Sequence, residues 1–187
     1  LNFCCKSLIL ISIDSNVLSS VKISNNFRRM LYTDALQYLK DQKITKDDGS
    51  FCEFGENIPE PSELKMINEI NEPIFLIKFP ASIKSFYMKK DQSNAHLTES
   101  VDLLLPGVGV IIGGSMRVSQ RPEYLDIDKK ENIDSEINYL NTNQRKYQFC
   151  EHGGYGLFLE RYLSWLTNRN NTRNVCRYPR FVSRATA

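Results

Sequence analysis

The sequence predicts an α+β domain in which an antiparallel sheet is flanked by segregated helices. Three observations carry this reading. Apolar residues before Pro73 recur at a helical period, whereas after it they fall into short runs bounded by turn residues. Those runs follow one another through tight turns such as Pro106-Gly107, the connection antiparallel neighbours use. A chain of 187 residues, 41% apolar and 25% charged, has the size and composition of one globular domain with a real core.

Taken in order, residues 1–25 form a divergent, Ser-rich amino-terminal segment with one short strand over Leu8–Ile13 and no nameable chemistry. That run is too short to span a bilayer, so no membrane attachment is expected. The chain starts at Leu1 rather than Met, and its true start is expected further upstream. Thr33 can cap a helix whose apolar face is Ala35, Leu36, Tyr38 and Leu39, ending before Asp47-Asp48-Gly49. Pro59 and Pro61 introduce a second helix through Leu64, Met66, Ile67 and Ile70. Ile74–Ile77, stopped by Phe79-Pro80, reads as a strand buried on both faces. Ser85–Met88 reads as a second strand, and Gln92–Ala95 as a polar turn. In the third strand, Val101, Leu103 and Leu105 share one face while Asp102 and Leu104 share the other. Gly109–Val118 is the fourth, with Gly113 and Gly114 in its middle. Pro122–Leu140 is acidic and suits one or two surface helices. From Leu157, the residues Leu159, Tyr162, Leu163 and Leu166 recur as the apolar face of a last helix.

The net charge of +2 is too small to argue by itself for nucleic acid. Arg169, Arg173, Arg177, Arg180 and Arg184 nevertheless crowd the tail with no acidic residue among them, a run suited to a polyanion or to a solvated basic face. Cys4, Cys5, Cys52, Cys150 and Cys176 show no paired CxxC spacing, which excludes a zinc-knuckle signature and fits reduced thiols in the cytosol.

Two glycine pairs mark where chemistry can sit. Glycine weakens a strand, so Gly113-Gly114 makes sense at a bulge or where a ligand lies on the backbone, and Arg117 emerges just beyond. Gly153-Gly154 repeats the arrangement ahead of Arg161, which shares a stripe with Phe158 and Trp165. A guanidinium keeps its proton, so in such a stripe it needs an anionic partner: a carboxylate or a phosphate. Together the pairs suggest a flat anionic ligand between Arg117 and Arg161. No phosphate-binding loop, HExxH or serine elbow is present, and His96 and His152 are the only histidines. Catalysis here would rest on positioning and charge neutralisation.

From Asn26 to Ala187, the stretches DDGSFCEFGENIPEP, INEPIFLIKFP, IKSFYM, LTESVDLLLPGVG, IIGGSMR, NQRKY, HGGYGL, LERYLSWL and NVCRYPRFVSR occur in an order that resembles the C-terminal half of the catalytic domain of cytoplasmic-type eukaryotic asparaginyl-tRNA synthetases, which are class II. Aspartyl-tRNA synthetases share the sheet and both arginines, but the Tyr178-Pro179-Arg180-Phe181-Val182 ending resembles the asparaginyl branch. The resemblance implies a six-stranded antiparallel sheet that binds ATP and Mg²⁺. It implies activation of asparagine to asparaginyl-adenylate, then transfer to tRNA(Asn), by a cytoplasmic homodimer. On the matching positions, Arg161 and Arg117 would be the catalytic arginines. Arg161 would neutralise the ATP γ-phosphate, with Glu160, Gly156 and Asp102 also at the nucleotide. Arg117, Gly113 and Gly154 would hold the amino acid, and Asp102 would bind the metal.

Two positions depart from the family pattern. Val110 stands where the family has a glutamate ligand of Mg²⁺ and ATP, and Phe158 stands where it has glycine beside the adenine. Valine offers the metal no oxygen. The anticodon-binding domain and the first two class II motifs, including the dimer motif, would lie before residue 1. The chain alone is therefore expected to be inactive. Other readings are a tRNA-independent asparagine synthetase paralogue and a non-catalytic remnant or interaction module.

Overall fold

Tyr32, Ala35, Leu36 and Leu39 lie at i, i+3, i+4 and i+7 and bury one face of a helix, α1 (Tyr32–Asp41). The computed structural model describes residues 27–118, 150–169 and 171–180. A second helix, α2 (Glu60–Ile70), has Pro61 in its first turn, where the missing N–H costs nothing, and buries Ser62, Met66 and Ile67. It stops at Asn71, which takes the left-handed conformation with φ 53°.

Five strands pair in chain order: β1 (Arg28–Leu31), β2 (Ile74–Ile77), β3 (Ser100–Leu105), β4 (Gly109–Met116) and β5 (Gly153–Leu157). Helix α3 (Leu159–Leu166) and a 3₁₀ turn at Thr172–Asn174 follow. The sheet is mixed: β2 through β5 are antiparallel neighbours, but β1 runs parallel to β2. The all-antiparallel expectation fails at that edge, where α1 and α2 form the crossover that a parallel pair needs. β1 escapes the sequence reading because Arg28, Arg29 and Leu31 are exposed and only Met30 is buried, so no alternation shows.

Other expectations shift locally. Leu31, not Thr33, occupies the cap position of α1, and its side chain makes no capping bond. Ser85–Met88 is a turn, closed by Met88 N–H donating to Ser85 O at 3.0 Å, and it meets the end of β4 through an isolated bridge between Met88 and Arg117, where Val118 N–H donates to Tyr87 O at 3.1 Å. Its apolar residues are spent on a Phe86–Tyr87 edge contact instead of a ladder. Leu157 ends β5 rather than opening the helix, and Leu159 is exposed. The Leu8–Ile13 strand and the Pro122–Leu140 helices fall outside the described residues.

The sheet separates two apolar clusters. One joins α1 and α2 to β2 and Leu104, with Tyr32, Met66, Ile67, Ile74 and Leu76 sealed from solvent. The other joins Leu103, Leu105, Ile111 and Ile112 to Tyr162 and Leu166 of α3. Ile111 and Ile112 reach the same cluster because the β3–β4 register steps from Leu103–Ile112 to Leu104–Val110. That bulge skips Ile111 and turns Val110 to the α2 side.

Candidate functional site

Directly opposed residues of antiparallel strands point to one face. The pairs Asp102–Gly113–Gly156 and Ser100–Ser115–Gly154 therefore share the face that carries Leu104 and α2 further along. Where α2 ends, three of these positions are glycine, and the sheet presents bare backbone. A Cβ on Gly113 would stand 3.3 Å from Asp102 Oδ1, and one on Gly156 would meet nothing within 4 Å. A Cβ on Gly154 would stand 3.3 Å from an Arg117 guanidinium nitrogen, so glycine leaves room for that arginine.

Arg117 follows β4 and is anchored by its N–H to His152 O at 2.9 Å. Its guanidinium carbon lies 4.4 Å from the centre of the Tyr87 ring, a stacked cation–π contact. Hydrogen bonds from Ser85 and then Arg117 hold the Tyr87 phenol below its usual pKa. Lys84 rests 3.7 Å above the Phe79 ring and pairs with Asp102 at 2.8 Å. These side chains enclose a cavity of about 310 Å³, lined among others by Lys84, Tyr87, Asp102, Gly113, Arg117 and Phe158. Ser115 also lines it, and its buried hydroxyl has no hydrogen-bond partner among the described residues. The cavity thus offers a fixed guanidinium, an unused hydroxyl and a flat glycine floor. That set suits a small polar group bearing a carbonyl.

Arg161 sits elsewhere. From the first turn of α3 its guanidinium donates to Val110 O at 3.1 Å and pairs with Glu60 at 2.9 Å. Without a ligand, its anionic partner is a carboxylate. Its guanidinium carbon is 5.5 Å from the Phe158 ring centre. Arg161, Glu160 and Phe158 line a second cavity of about 320 Å³ together with residues of the tail. Arg117 and Arg161 thus line two different cavities, and Phe158 lines both.

Glu63 of α2 lies beside Gly109 and Val110 at the start of β4, and its carboxyl is raised to a pKa of about 7. Burial raises it most and the Asp102 charge next, while Arg161 and the Val110 N–H oppose the shift. The sequence reading missed Glu60, Glu63, Lys84, Tyr87 and Ser115. Lys84 and Tyr87 were hidden by the strand reading of the IKSFYM stretch. Glu60 and Glu63 looked like ordinary polar positions on an amphipathic helix. For Ser115, its place beside Gly113-Gly114 was an available signal.

Comparison with known proteins agrees with this geometry. The family model for class II tRNA synthetases (D, K and N) matches residues 5–182. The cytoplasmic asparagine–tRNA ligase of Homo sapiens is 54% identical over 160 residues, covering 86% of this chain and 29% of that protein. The chain thus spans about three-tenths of the length of the curated relatives it matches. Asparaginyl-tRNA synthetase of Entamoeba histolytica, solved with asparaginyl-adenylate, superposes with a TM-score of 0.86 at 43% identity, over 92% of this chain and 40% of that one. The Pyrococcus horikoshii asparaginyl-tRNA synthetase, also solved with asparaginyl-adenylate, gives 0.80 at 27% identity, over 97% of this chain and 41% of that one.

Proposed function

The chain belongs to the class II tRNA synthetases (D, K and N), and from that premise we propose that it forms the amino-acid-binding half of a cytoplasmic asparagine–tRNA ligase catalytic domain. The observation that carries the reading is Arg117, stacked on Tyr87 and seated on Gly154 above a glycine floor. A guanidinium fixed in that way donates N–H groups that converge on the side-chain carbonyl oxygen of asparagine. Gly113 and Gly154 let the amino acid lie on the backbone.

In the proposed reaction, an asparagine carboxylate oxygen attacks the α-phosphate of ATP and the bond to pyrophosphate breaks. The 3′-hydroxyl of tRNA(Asn) then takes the acyl group and AMP leaves. Gly156 lies under the nucleotide, Glu160 borders it, and Arg161 exchanges Glu60 for the γ-phosphate. The family homodimer is the expected assembly. Mg²⁺ is a poor fit to the donors present. Asp102 already faces Lys84, the Val110 side chain has no oxygen, and the Val110 carbonyl accepts from Arg161. No step is therefore routed through Asp102 and a metal. Phe158 stands where the adenine would reach the sheet.

The chain alone is expected to give no asparagine-dependent pyrophosphate–ATP exchange. Residues 27–187, carrying Val110→Glu and Phe158→Gly, should restore exchange when substituted for the matching segment of the Entamoeba histolytica enzyme. Failure of that double variant in a folded chimera would overturn the assignment. A non-catalytic role in pairing with an intact ligase subunit is favoured by one observation: Tyr155, Leu157, Phe158 and Leu159 are all exposed. Co-elution of the purified chain with an intact ligase, without nucleotide binding, would support that second role.

A further inference from the structure

The two edges of the sheet are finished differently. At one edge β1 carries Arg28 and Arg29, both exposed, and charges of one sign on an edge strand keep a second copy of it away. At the other edge β5 reads Gly-Gly-Tyr-Gly-Leu, with no charge, proline or bulge to blunt it. Its ladder to β4 shows which backbone groups are already used. Arg117 N–H donates to His152 O at 2.9 Å and Phe158 N–H donates to Ile111 O at 2.8 Å, bracketing that ladder. With Met116 opposite Gly153 and Ile112 opposite Leu157, these bonds make Gly154 and Gly156 the residues that hydrogen-bond β4. Gly153, Tyr155 and Leu157 therefore turn their N–H and C=O groups outward, where they have no backbone partner among the described residues.

Outward backbone groups spaced two residues apart are a template for an extended strand. The strand that fits this one best is its own copy, because β5 is self-complementary about Tyr155. Antiparallel pairing sets Tyr155 opposite Tyr155 and Gly153 opposite Leu157, so each outward residue meets an outward residue of the second copy. Bulk then alternates across the face that Gly153, Tyr155 and Leu157 share. Met116, Gly153 and the second copy's Leu157 form one row, and Gly114 with the two Tyr155 side chains forms the next. A Cβ on Gly153 would stand 3.0 Å from Met116 Sδ, so glycine leaves that thioether its place at the edge of the row. Tyr155 and Leu157 are exposed, and Phe158 and Leu159 continue the apolar strip past the end of the strand. No like charges meet in this pairing, as they would at β1. Gly154 and Gly156 face the other side, so the glycine floor stays open.

We propose that β5 is a self-association edge: two copies of this chain pair their β5 strands antiparallel about a twofold axis at Tyr155, joining two five-stranded sheets into one. A twofold pairing uses the same edge on both copies, so it closes at the dimer and leaves each β1, with its arginines, at an outer end. The inference goes beyond the proposed function and does not rest on it, because it uses the backbone of β5 and not the chemistry of the cavities. The contact is also independent of the family homodimer.

Sedimentation equilibrium of the full 187-residue chain, over about a hundredfold range of concentration, tests this and should show a monomer–dimer equilibrium without larger species. Tyr155→Lys sets two ammonium groups across the axis, and Tyr155→Pro removes the central outward N–H while leaving the bonds to β4 in place. Each should raise the dissociation constant at least about tenfold, and Lys40→Met on α1 should leave it unchanged. Hydrogen exchange read residue by residue needs no variant. The amides of Gly153, Tyr155 and Leu157 should gain protection as concentration rises, whereas those of Gly154 and Gly156 should be protected at every concentration. A chain that stays monomeric, or a dimer in which the alternate amides gain nothing, overturns the inference. So does open-ended polymer growth, which needs a second and different edge. If the chain is monomeric alone yet co-elutes with an intact ligase, self-association fails and the pairing role stands. If the dimer forms as expected but the revived chimera is inactive, the ligase reading fails and the edge stands.

Discussion

The β2–β3 half of the sheet and the β4–β5 end are one continuous ladder, yet they are built on opposite rules. On the first, Ile74, Leu76 and Leu104 are fully buried beneath α1 and α2. On the second, Gly113, Gly154 and Gly156 leave the same face bare, and Tyr155 remains 60% exposed. The backbone register changes by one bulge between them; what changes more is the side chains laid on it. One half gains its stability from burial, and the other keeps a surface that its own side chains do not fill. The difference assigns stability to one half and recognition to the other.

The largest effect belongs to the covered half. Leu76→Ala removes a sealed side chain and should destabilise the fold by about 3 kcal/mol, read by urea unfolding. A comparable loss from a substitution at the glycine end would refute the division. Next comes Glu63, which lies where the two halves meet. Its carboxyl has a pKa of about 7 in the folded chain against 4.5 for the free side chain, so between these values the folded chain holds a proton that the unfolded chain has released. Stability from this group is complete below about pH 4.5 and is lost as pH rises through about 7. Glu63→Gln should remove that slope. The variant should match its parent near pH 4 and exceed it by roughly 2–3 kcal/mol near pH 8, measured in chelator-treated buffer. A parallel pair of stability–pH curves would show that Glu63 titrates normally.

The two halves were also unequally legible in the sequence. Apolar periodicity located α1, α2, β2, β3 and β4, because Tyr32–Leu39, Met66-Ile67 and Ile74–Ile77 are covered, and covering is what makes a pattern. Where side chains are exposed or small, periodicity carries little. β1 with its two arginines was missed, the aromatic Ser85–Met88 run was taken for a strand, and β5 was seen only as glycines ahead of a helix. The family resemblance named Asp102, Gly113 and Arg117, and these do line one cavity. It also singled out Phe158, which lines that cavity and the one beside Arg161. Spacing could not reveal Glu60, which lies 101 residues from the arginine it pairs with.

At the recognition end, effects should fall on binding rather than on stability. Gly154→Ala places a methyl group 3.3 Å from the Arg117 guanidinium, which must then tilt off its seat. Asparagine affinity in the revived chimera should drop about tenfold, or about 1.4 kcal/mol, while the melting temperature stays within about a degree. An equal fall in stability would mean that β5 contributes to folding as β2 does.

The smallest expected effect concerns Glu60, which reaches from the covered half to the other. Its pair with Arg161 is half exposed, with 34% and 59% of the two side chains accessible, so the bond itself contributes under about 1 kcal/mol. Glu60 also sits in the first turn of α2, where a carboxylate favours the helix by a few tenths of a kcal/mol. Glu60→Gln should therefore barely move the unfolding midpoint. It should, however, leave the Arg161 guanidinium without its competing carboxylate, so that a phosphate no longer has to displace one. Pyrophosphate affinity should rise about two- to fivefold, an increase that added salt reduces. Arg161→Met should abolish the gain in the double variant. A gain that survives without Arg161 would mean that Glu60 acts through the general field of the cavity, and the pairing of these two residues would then be structural alone.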